Sequence, residues 1–317
     1  MPSVGIDFTV TALIAGAKRH AMVPGSQSLF QDPDFVEILN HDMVSEVVPL
    51  IKSVNEEYFV VTKDVLLVAG VSEYDIPTRA LGGSLRDFVL VDDAGRELEI
   101  GRLEPEMVKY SGAYTSQRVS GAYLQSGKVI FFPALTNALP QKYIRFKYER
   151  RPNDLCLTSA AGRITAIDKA GLKITLSSVP TAWTANTTLD IIIATPHFPS
   201  LVDDVVITGI SGLDVSISAW TDGIAVGQWV SESCTSPIAQ IPYEAHKLLE
   251  VLGGERICLT MKDGDLVQAL KADYKRASEM FLKTITPRVA GSPKKVINRN
   301  SIFDYNRGFM PNYSTRP

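Results

Sequence analysis

The chain has 317 residues, of which 45% are hydrophobic and 21% are charged, and its formal net charge is −3. This composition is ordinary for a soluble globular protein and leaves room for two packed units. No apolar run reaches the ~18–20 residues of a membrane-spanning helix, and the N-terminus lacks the basic-then-apolar order of a signal peptide.

Two helices are predicted in the first 60 residues. The first, Thr9–Met22, rests on a few alanines and a leucine and is weakly supported. The second begins at Asp32 and Pro33, which pair an N-cap with a first-turn proline. Its apolar residues continue to Tyr58 at spacings of three and four, which is typical of a one-sided helix. Pro49 lies inside this helix and predicts a kink or a break.

A region of short strands is predicted from about Val60 to Pro237. Its apolar residues alternate, and Gly, Asp, Asn and Pro recur between them, which is typical of a sandwich or a barrel. The predicted strands are Val65–Val68, Phe88–Leu90, Leu98–Ile100, Val129–Phe132, Tyr143–Tyr148, Arg163–Ile167, Leu172–Leu176, Leu189–Ile193, Val205–Ile207, Val215–Ile217 and Trp229–Val230. A weak seam at 157–162 suggests two β units, and we identify no repeat of fixed period.

Two further helices are predicted after this region. Tyr243–Met261 is rich in apolar residues from Leu248 to Cys258 and is broken by Lys262-Asp263-Gly264. The next helix runs from Asp265 to about Thr284, with apolar residues three or four apart. Pro287 prevents much further helix.

The last 31 residues, 287–317, differ from the rest. Six basic residues stand against the single acid Asp304, so this segment has a net charge of +5 and leaves −8 on residues 1–286. It lacks the apolar periodicity of a core, but it contains four aromatic residues. One interpretation is a frayed terminus. The other is an arm that orders on a partner, with aromatic anchors and basic side chains that pair with acids.

The predicted fold class is therefore α+β. We expect a helical bundle built from residues 1–60 and 241–286, with an inserted β-sandwich or barrel region and an extended C-terminal arm. Within the insertion, residues 61–157 would form a β domain and residues 158–240 a second, small barrel-like unit. Residues 287–317 would be the arm.

Motifs for catalysis or cofactor binding are missing from the sequence. There is no P-loop and no nucleophile elbow, and no histidine has a second His or Cys at zinc-ligand spacing. Cys156, Cys234 and Cys258 form no metal or redox motif and fit a reducing compartment. The acid pairs 92–93 and 203–204 lack supporting ligands and are interpreted as solvated turns. We expect no enzyme activity, no catalytic residue, no cofactor and no metal.

Two groups of residues leave alternatives open. Trp183, Trp220 and Trp229 are either core residues of the β region or a stacking platform for sugars. Arg86, Arg150 and Arg151 lie at ends of predicted strands. They either pair across a subunit interface or form surface salt bridges of little weight.

Several stretches, taken in order, resemble the head-to-tail connector (portal adaptor) proteins of tailed bacteriophages, especially short-tailed ones. The longest is Y-D-I-P-x-R-A-L-G-G-x-L-R-D at 74–87. The stretches that carry the resemblance are Val47–Ile51, Glu56–Val60, Tyr74–Asp87, Tyr148–Pro152, Ile241–Pro242 with His246 and Leu248-Leu249, and Ile285–Pro293 with Asn298-Arg299. None of these is catalytic, and their combination is more specific than any one of them.

The resemblance implies a virion protein of the neck or tail, made in the cytoplasm of a bacterial host. It implies a ring, commonly a dodecamer, that lies beneath the portal and above a tail, nozzle or other neck protein. Genomic DNA would pass through the lumen without sequence-specific binding, and no membrane would be involved. The arm would insert between portal subunits through residues that we expect to be Arg288, Lys294, Lys295, Arg299, Phe303, Tyr305, Phe309 and Tyr313. The alternative function is a β-rich tail-fibre or carbohydrate-binding module.

Overall fold

The computed structural model describes residues 7–23, 29–104, 121–132 and 141–286, and those up to Ile285 belong to one compact unit. The helical elements are α1 (Val10–His20), α2 (Asp32–Asp42), a π-helical segment (Met43–Val47), α3 (Val48–Val54), α4 (Tyr243–Met261) and α5 (Gly264–Ile285). The first strands are β1 (Val60–Leu66), β2 (Glu73–Asp75), β3 (Ala80–Asp92), β4 (Glu97–Glu99), β5 (Gly121–Gln125), β6 (Lys128–Phe132), β7 (Gln141–Arg150) and β8 (Asp154–Leu155). A 3-10 turn (Thr158–Ala160) leads into β9 (Ala161–Asp168), β10 (Lys173–Leu176), β11 (Thr188–Ile192), β12 (Val202–Ser211), β13 (Asp214–Ile217), β14 (Trp229–Glu232) and β15 (Thr235–Ser236).

The predicted fold class is wrong. The described chain is mostly β and contains a closed six-stranded barrel, so it is not a helical bundle with a β insertion, although helices and strands both occur. The long helical stripes are strong local signals, whereas many strands span only two to five residues. The prediction therefore made the helices the body of the molecule, although strands form the larger part of the described chain.

The helix is broken before Pro49, as predicted, and the break takes the form of a π-helical segment. A π-helical segment separates α2 from α3, and the Val48 N–H donates to the Met43 carbonyl, five residues back. In a regular α-helix, the Pro49 ring would clash with the carbonyl of Ser45, and proline has no N–H to donate. The wider π turn relieves this conflict just before the proline.

The helices share one hydrophobic core, in which Phe35, Leu39, Met43, Leu248 and Ile257 are fully buried. Helix α4 packs against α1, α2 and α5.

Two glycines in α4 set how closely its neighbours approach. A Cβ at Gly254 would lie 2.8 Å from the His20 Cβ, and one at Gly253 would lie 3.0 Å from Leu39 Cδ2. The close approach of α1 to α4 therefore requires a residue without a side chain at position 254.

Strands β1–β7 form two antiparallel sheets, which together we call the sandwich. One sheet has the order β1-β7-β3-β4 and the other has the order β2-β6-β5. Their facing side chains make a second core that includes Phe88, Phe131 and Phe146. On the opposite face of the larger sheet, Arg145 donates to both Asp64 and Glu97, at 2.8 Å and 3.0 Å.

Strands β9–β14 form the closed barrel, in the order β10-β13-β12-β11-β14-β9. The barrel has its own core, with Ile174, Leu176, Ile207, Val215 and Val230 at its centre. That core shares no residue with the other two.

The barrel consists of two similar halves, β9–β11 and β12–β14, which the sequence analysis missed. Ile-Thr-Ala-Ile at 164–167 matches Ile-Thr-Gly-Ile at 207–210, and Gly-Leu-Lys-Ile-Thr-Leu at 171–176 matches Gly-Leu-Asp-Val-Ser-Ile at 212–217. When each strand is replaced by its counterpart in the other half, the order of strands around the barrel stays the same. The residue pairing is also equivalent, because the pair Trp229↔Arg163 corresponds to the pair Thr188↔Val206. The turn after β9 is two residues longer than the turn after β12, which hides any fixed period.

Gly254→Ala is expected to lower the free energy of unfolding by about 1–3 kcal/mol, because the added methyl group overpacks the α1–α4 contact. Urea denaturation measures this change. Gly264→Ala is the matched control, since nothing lies within 4 Å of a Cβ there. It should be neutral or slightly stabilising. Equal effects of the two substitutions would contradict the packing argument.

Candidate functional site

Arg79 lies in the loop between β2 and β3, and its side chain is only 7% exposed. Its two terminal nitrogens donate to the two oxygens of Asp190 on β11, at 2.7 Å and 2.8 Å. This is the planar, two-bond geometry for which a guanidinium is suited. Nη2 also donates to Asp204 at 2.6 Å and to Ser233 at 2.9 Å.

Asp190 is fully buried and points away from the barrel interior, because its neighbours Leu189 and Ile191 belong to the barrel core. Besides Arg79, its carboxylate accepts hydrogen bonds from the Asn153 side chain at 2.7 Å. It also accepts from the backbone N–H groups of Asp204 and Cys234, both at 3.0 Å. A charged group with this many donors is well compensated for its loss of water.

Arg150, at the end of β7, is the second cation of the cluster, and its side chain is 2% exposed. Nη1 and Nη2 donate to the two oxygens of Asp203, at 2.6 Å and 2.8 Å. Nη2 also donates to Asn153 and to Ser200. The Phe198 ring lies 6.0 Å from the guanidinium carbon, within range of a cation–π contact.

Burial and charge act against each other on the titratable groups of this cluster. Burial by itself lowers the pKa of Arg79, but the hydrogen bonds and charges of Asp190, Asp204 and Asp203 outweigh it and raise the pKa overall. Burial also works to raise the pKa of Asp204. The hydrogen bonds from Ser233 and Arg79 reverse that effect, so the pKa lies below its usual range. The charged forms of both groups are therefore the stable ones.

Asn153 and Gln240 connect the cluster to the helical layer. The Asn153 N–H donates to Gln240 Oε1 at 2.9 Å, and Gln240 Nε2 donates to Ser200 at 2.6 Å. Strands β8 and β15, which flank the barrel in sequence, pair in parallel beside it. We call the whole set the arginine node: Arg79, Arg150, Asn153, Asp190, Ser200, Asp203, Asp204, Ser233 and Gln240. It joins the sandwich, the barrel and the start of α4.

A cavity of about 270 Å³ adjoins the node and is lined by Lys63, Tyr148 and Ser200 as well as by Arg79 and Arg150. The node's aspartates are directed at arginines instead of at a common centre. No group of three or more His, Cys, Asp or Glu side chains able to hold a metal occurs within the ranges that the structure describes. The chemistry that this arrangement supports best is fastening of one folded part to another.

The predicted site residues are distributed differently from what was expected. The eight arm residues, Arg288, Lys294, Lys295, Arg299, Phe303, Tyr305, Phe309 and Tyr313, lie outside the described residues. Arg86 forms a salt bridge with Glu57 at 2.5 Å on the surface. Arg151 is exposed, and its N–H donates to the Arg79 carbonyl. Subunit contacts through Arg86 and Arg151 stay a prediction.

Two of the sequence interpretations are corrected by the node. Arg150 was placed among exposed residues at strand ends, but it is buried and engaged within its own chain. Asp203 and Asp204 were interpreted as a solvated turn, but they pair with the two buried arginines.

Arg79 and Asp190 were missed as site residues. A signal for Asp190 was present, because it interrupts the apolar run Leu189–Ile193. A lone acid in a buried strand requires a counter-ion.

The three tryptophans do not form one platform. Trp183 is 6% exposed and belongs to the barrel core, and Trp220 packs against that core from its edge. Trp229 is half-buried and lines a separate groove with Phe8 and Arg163.

No protein-family model matches the chain, and a search of the curated proteins gives no significant match. Among the described helices, none is long and apolar enough to cross a membrane.

Asp190→Asn is expected to lower the free energy of unfolding by about 2–4 kcal/mol, because it leaves the Arg79 charge buried without its main counter-ion. Urea denaturation near neutral pH measures this. Asp222→Asn is the matched control, since Asp222 pairs with Lys169 while 91% exposed, and it should have no measurable effect. If Asp190→Asn lowers the free energy of unfolding no more than Asp222→Asn does, the Arg79–Asp190 pair is not important for stability.

His246 predicts a pH dependence of stability. Burial lowers its pKa from 6.5 to about 4, against the opposing effects of a hydrogen bond with the Ala239 backbone and the charge of Glu244. The unfolded chain binds a proton at higher pH than the folded one, so stability falls as pH decreases from about 6.5 towards 4.

The expected loss between about pH 6.5 and about pH 5 is about 1.5 kcal/mol, measured by denaturation at each pH. His246→Gln should remove this component. The exposed His197, replaced in the same way, should leave the wild-type pH dependence intact. If His246→Gln retains the full dependence, other groups cause it.

Proposed function

We propose that this chain is a structural virion protein, a subunit of the head-to-tail connector (portal adaptor) ring that joins the portal to the tail of a bacteriophage. The observation that carries the proposal is where the connector-like stretches lie. Tyr74–Asp87 contains Arg79, Tyr148–Pro152 contains Arg150, and both arginines are in the node. His246, Leu248 and Leu249 are buried in the helical layer. The residues that resemble connectors thus hold the subunit together.

The chemistry of the node favours a structural role. Its arginines and aspartates pair with each other across elements far apart in sequence, at distances of 2.6–2.8 Å for the closest pairs. A catalytic acid or base has to keep a polar atom free for its substrate. A subunit that transmits force between portal and tail instead needs its folded parts held in one arrangement.

The charge distribution fits passage of DNA. Residues 1–286 carry a net −8, and a channel wall of this sign repels the phosphate backbone so that DNA slides without being bound in a sequence-specific way. We propose that the basic, aromatic segment 287–317 binds the portal, and that copies of the chain associate into a ring, commonly of twelve. A tail, nozzle or other neck protein would bind below.

The alternative is a β-rich tail-fibre or carbohydrate-binding module. It would use Trp183, Trp220 or Trp229 to stack on sugars. The burial of Trp183 in the barrel core argues against it. Quenching of tryptophan fluorescence by glycans, lost on Trp229→Ala, would favour the alternative over the connector.

Deletion of residues 287–317 is expected to leave a folded protein with an unchanged melting temperature that no longer binds the portal ring. The aromatic anchors should account for much of this, so Phe303, Tyr305 and Phe309 replaced together by Ala should weaken binding at least about 100-fold. A pull-down with purified portal and electron microscopy of the mixture measure both.

The matched control replaces three exposed apolar side chains of the body, Leu98, Leu124 and Val226, by Ala. It should bind the portal as the wild type does and appear as a ring stacked on it. Unchanged portal binding after the deletion would refute the role of the arm.

A further inference from the structure

The barrel is a self-sufficient unit that attaches to the rest through few elements. Each of its six strands pairs with two others of the barrel, and its core is its own. Its strands also pack on the neck, which consists of β15 and the 3-10 turn 158–160. The loop after β11 adds Phe198, whose ring lies 5.0 Å from that of Phe59 in the helical layer.

Each acid of the node has a small residue at the equivalent position in the other half of the barrel. Asp190 corresponds to Ser231 in the other half, and the two residues lie opposite each other in the β11–β14 pair. Asp203 and Asp204 correspond to Ala160 and Ala161. Each half thus folds with small residues where the other half has acids, so the barrel fold itself does not require acids there.

The cations that these acids bind come from the sandwich. Arg79 precedes β3 and Arg150 ends β7, and the sandwich core shares no residue with the barrel core. Contact between the two units at the node is polar and directional instead of a continuous apolar interface. Polar contacts of this kind are lost as a set when one central member is removed.

We propose that the arginine node is a latch, and that the barrel is a hinged module held against the sandwich by Arg79. When the Arg79–Asp190 pair is broken, the barrel turns about the neck while the barrel core and the sandwich core both stay folded. The device gives one subunit two arrangements of the same folded parts. It does not depend on the proposed connector role.

Hydrogen exchange of the full chain, followed by mass spectrometry, tests the latch with Arg79→Ala and Asp190→Ser. Asp190→Ser gives position 190 the same residue as its counterpart in the other half of the barrel, Ser231. In Arg79→Ala, peptides that contain the amides of Asp204, Cys234 and Cys156 should exchange at least about tenfold faster. The first two amides donate to Asp190, which Arg79 holds in place, and the third donates to the Ser236 carbonyl in the neck. Peptides that contain Ile174, Val215 and Phe146 should keep their protection.

Arg145→Ala is the matched control. Arg145 also bridges two acids, but on the outer face of the sandwich, and its loss should leave the exchange at the node unchanged. Arg79→Lys keeps the charge but loses the paired geometry, and it should give an intermediate rate.

Three results would overturn the latch. Exchange at the node that matches the Arg145→Ala control would mean that Arg79 does not hold the barrel. Loss of protection in the barrel core together with the neck, or failure of all three node variants to fold, would mean that the barrel is not a separable module.

Discussion

The two-bond pair between Arg79 and Asp190 is the contact on which the arrangement of the molecule depends. Both side chains are removed from water, and the desolvation of such a pair costs several kcal/mol per ion before their attraction is counted. The cost is offset because Asp190 accepts from Asn153 and from two backbone N–H groups as well. A pair of this kind contributes little net stability relative to apolar packing, but it is highly selective for one geometry.

That selectivity matters because the part of the chain that the structure describes forms three cores that share no residue. The helical layer leads into the sandwich after α3, and β7 ends beside it at Arg150. The chain then enters the barrel after β8 and leaves it at β15, and these two strands pair with each other. The arginine node lies where the connections between the helical layer, the sandwich and the barrel come together, so its hydrogen bonds determine how these three parts are oriented.

The sequence predicted those elements whose signal is local. The helix at Tyr243–Met261 is observed with the predicted bounds, because its run of apolar residues and the break after it are local features of the sequence. The fold class was wrong because the strong local periodicity of the helices made them the predicted body of a chain whose described part is mostly β. The duplication within the barrel was not predicted, because its two halves match mainly by residue class and differ in the length of one turn. Arg79 was not identified because the aspartates that it pairs with are more than 100 residues away, and no local pattern pairs them.

A double-mutant cycle on Arg79 and Asp190 tests the central claim most directly. The free energy of unfolding would be measured for wild type, Arg79→Ala, Asp190→Ala and the double variant, at low salt and in about 1 M NaCl. A coupling energy of about 2 kcal/mol or more that persists in high salt is the predicted result, since the pair is buried. A coupling below about 0.5 kcal/mol, or one that salt abolishes, would show that the pair does not determine the arrangement.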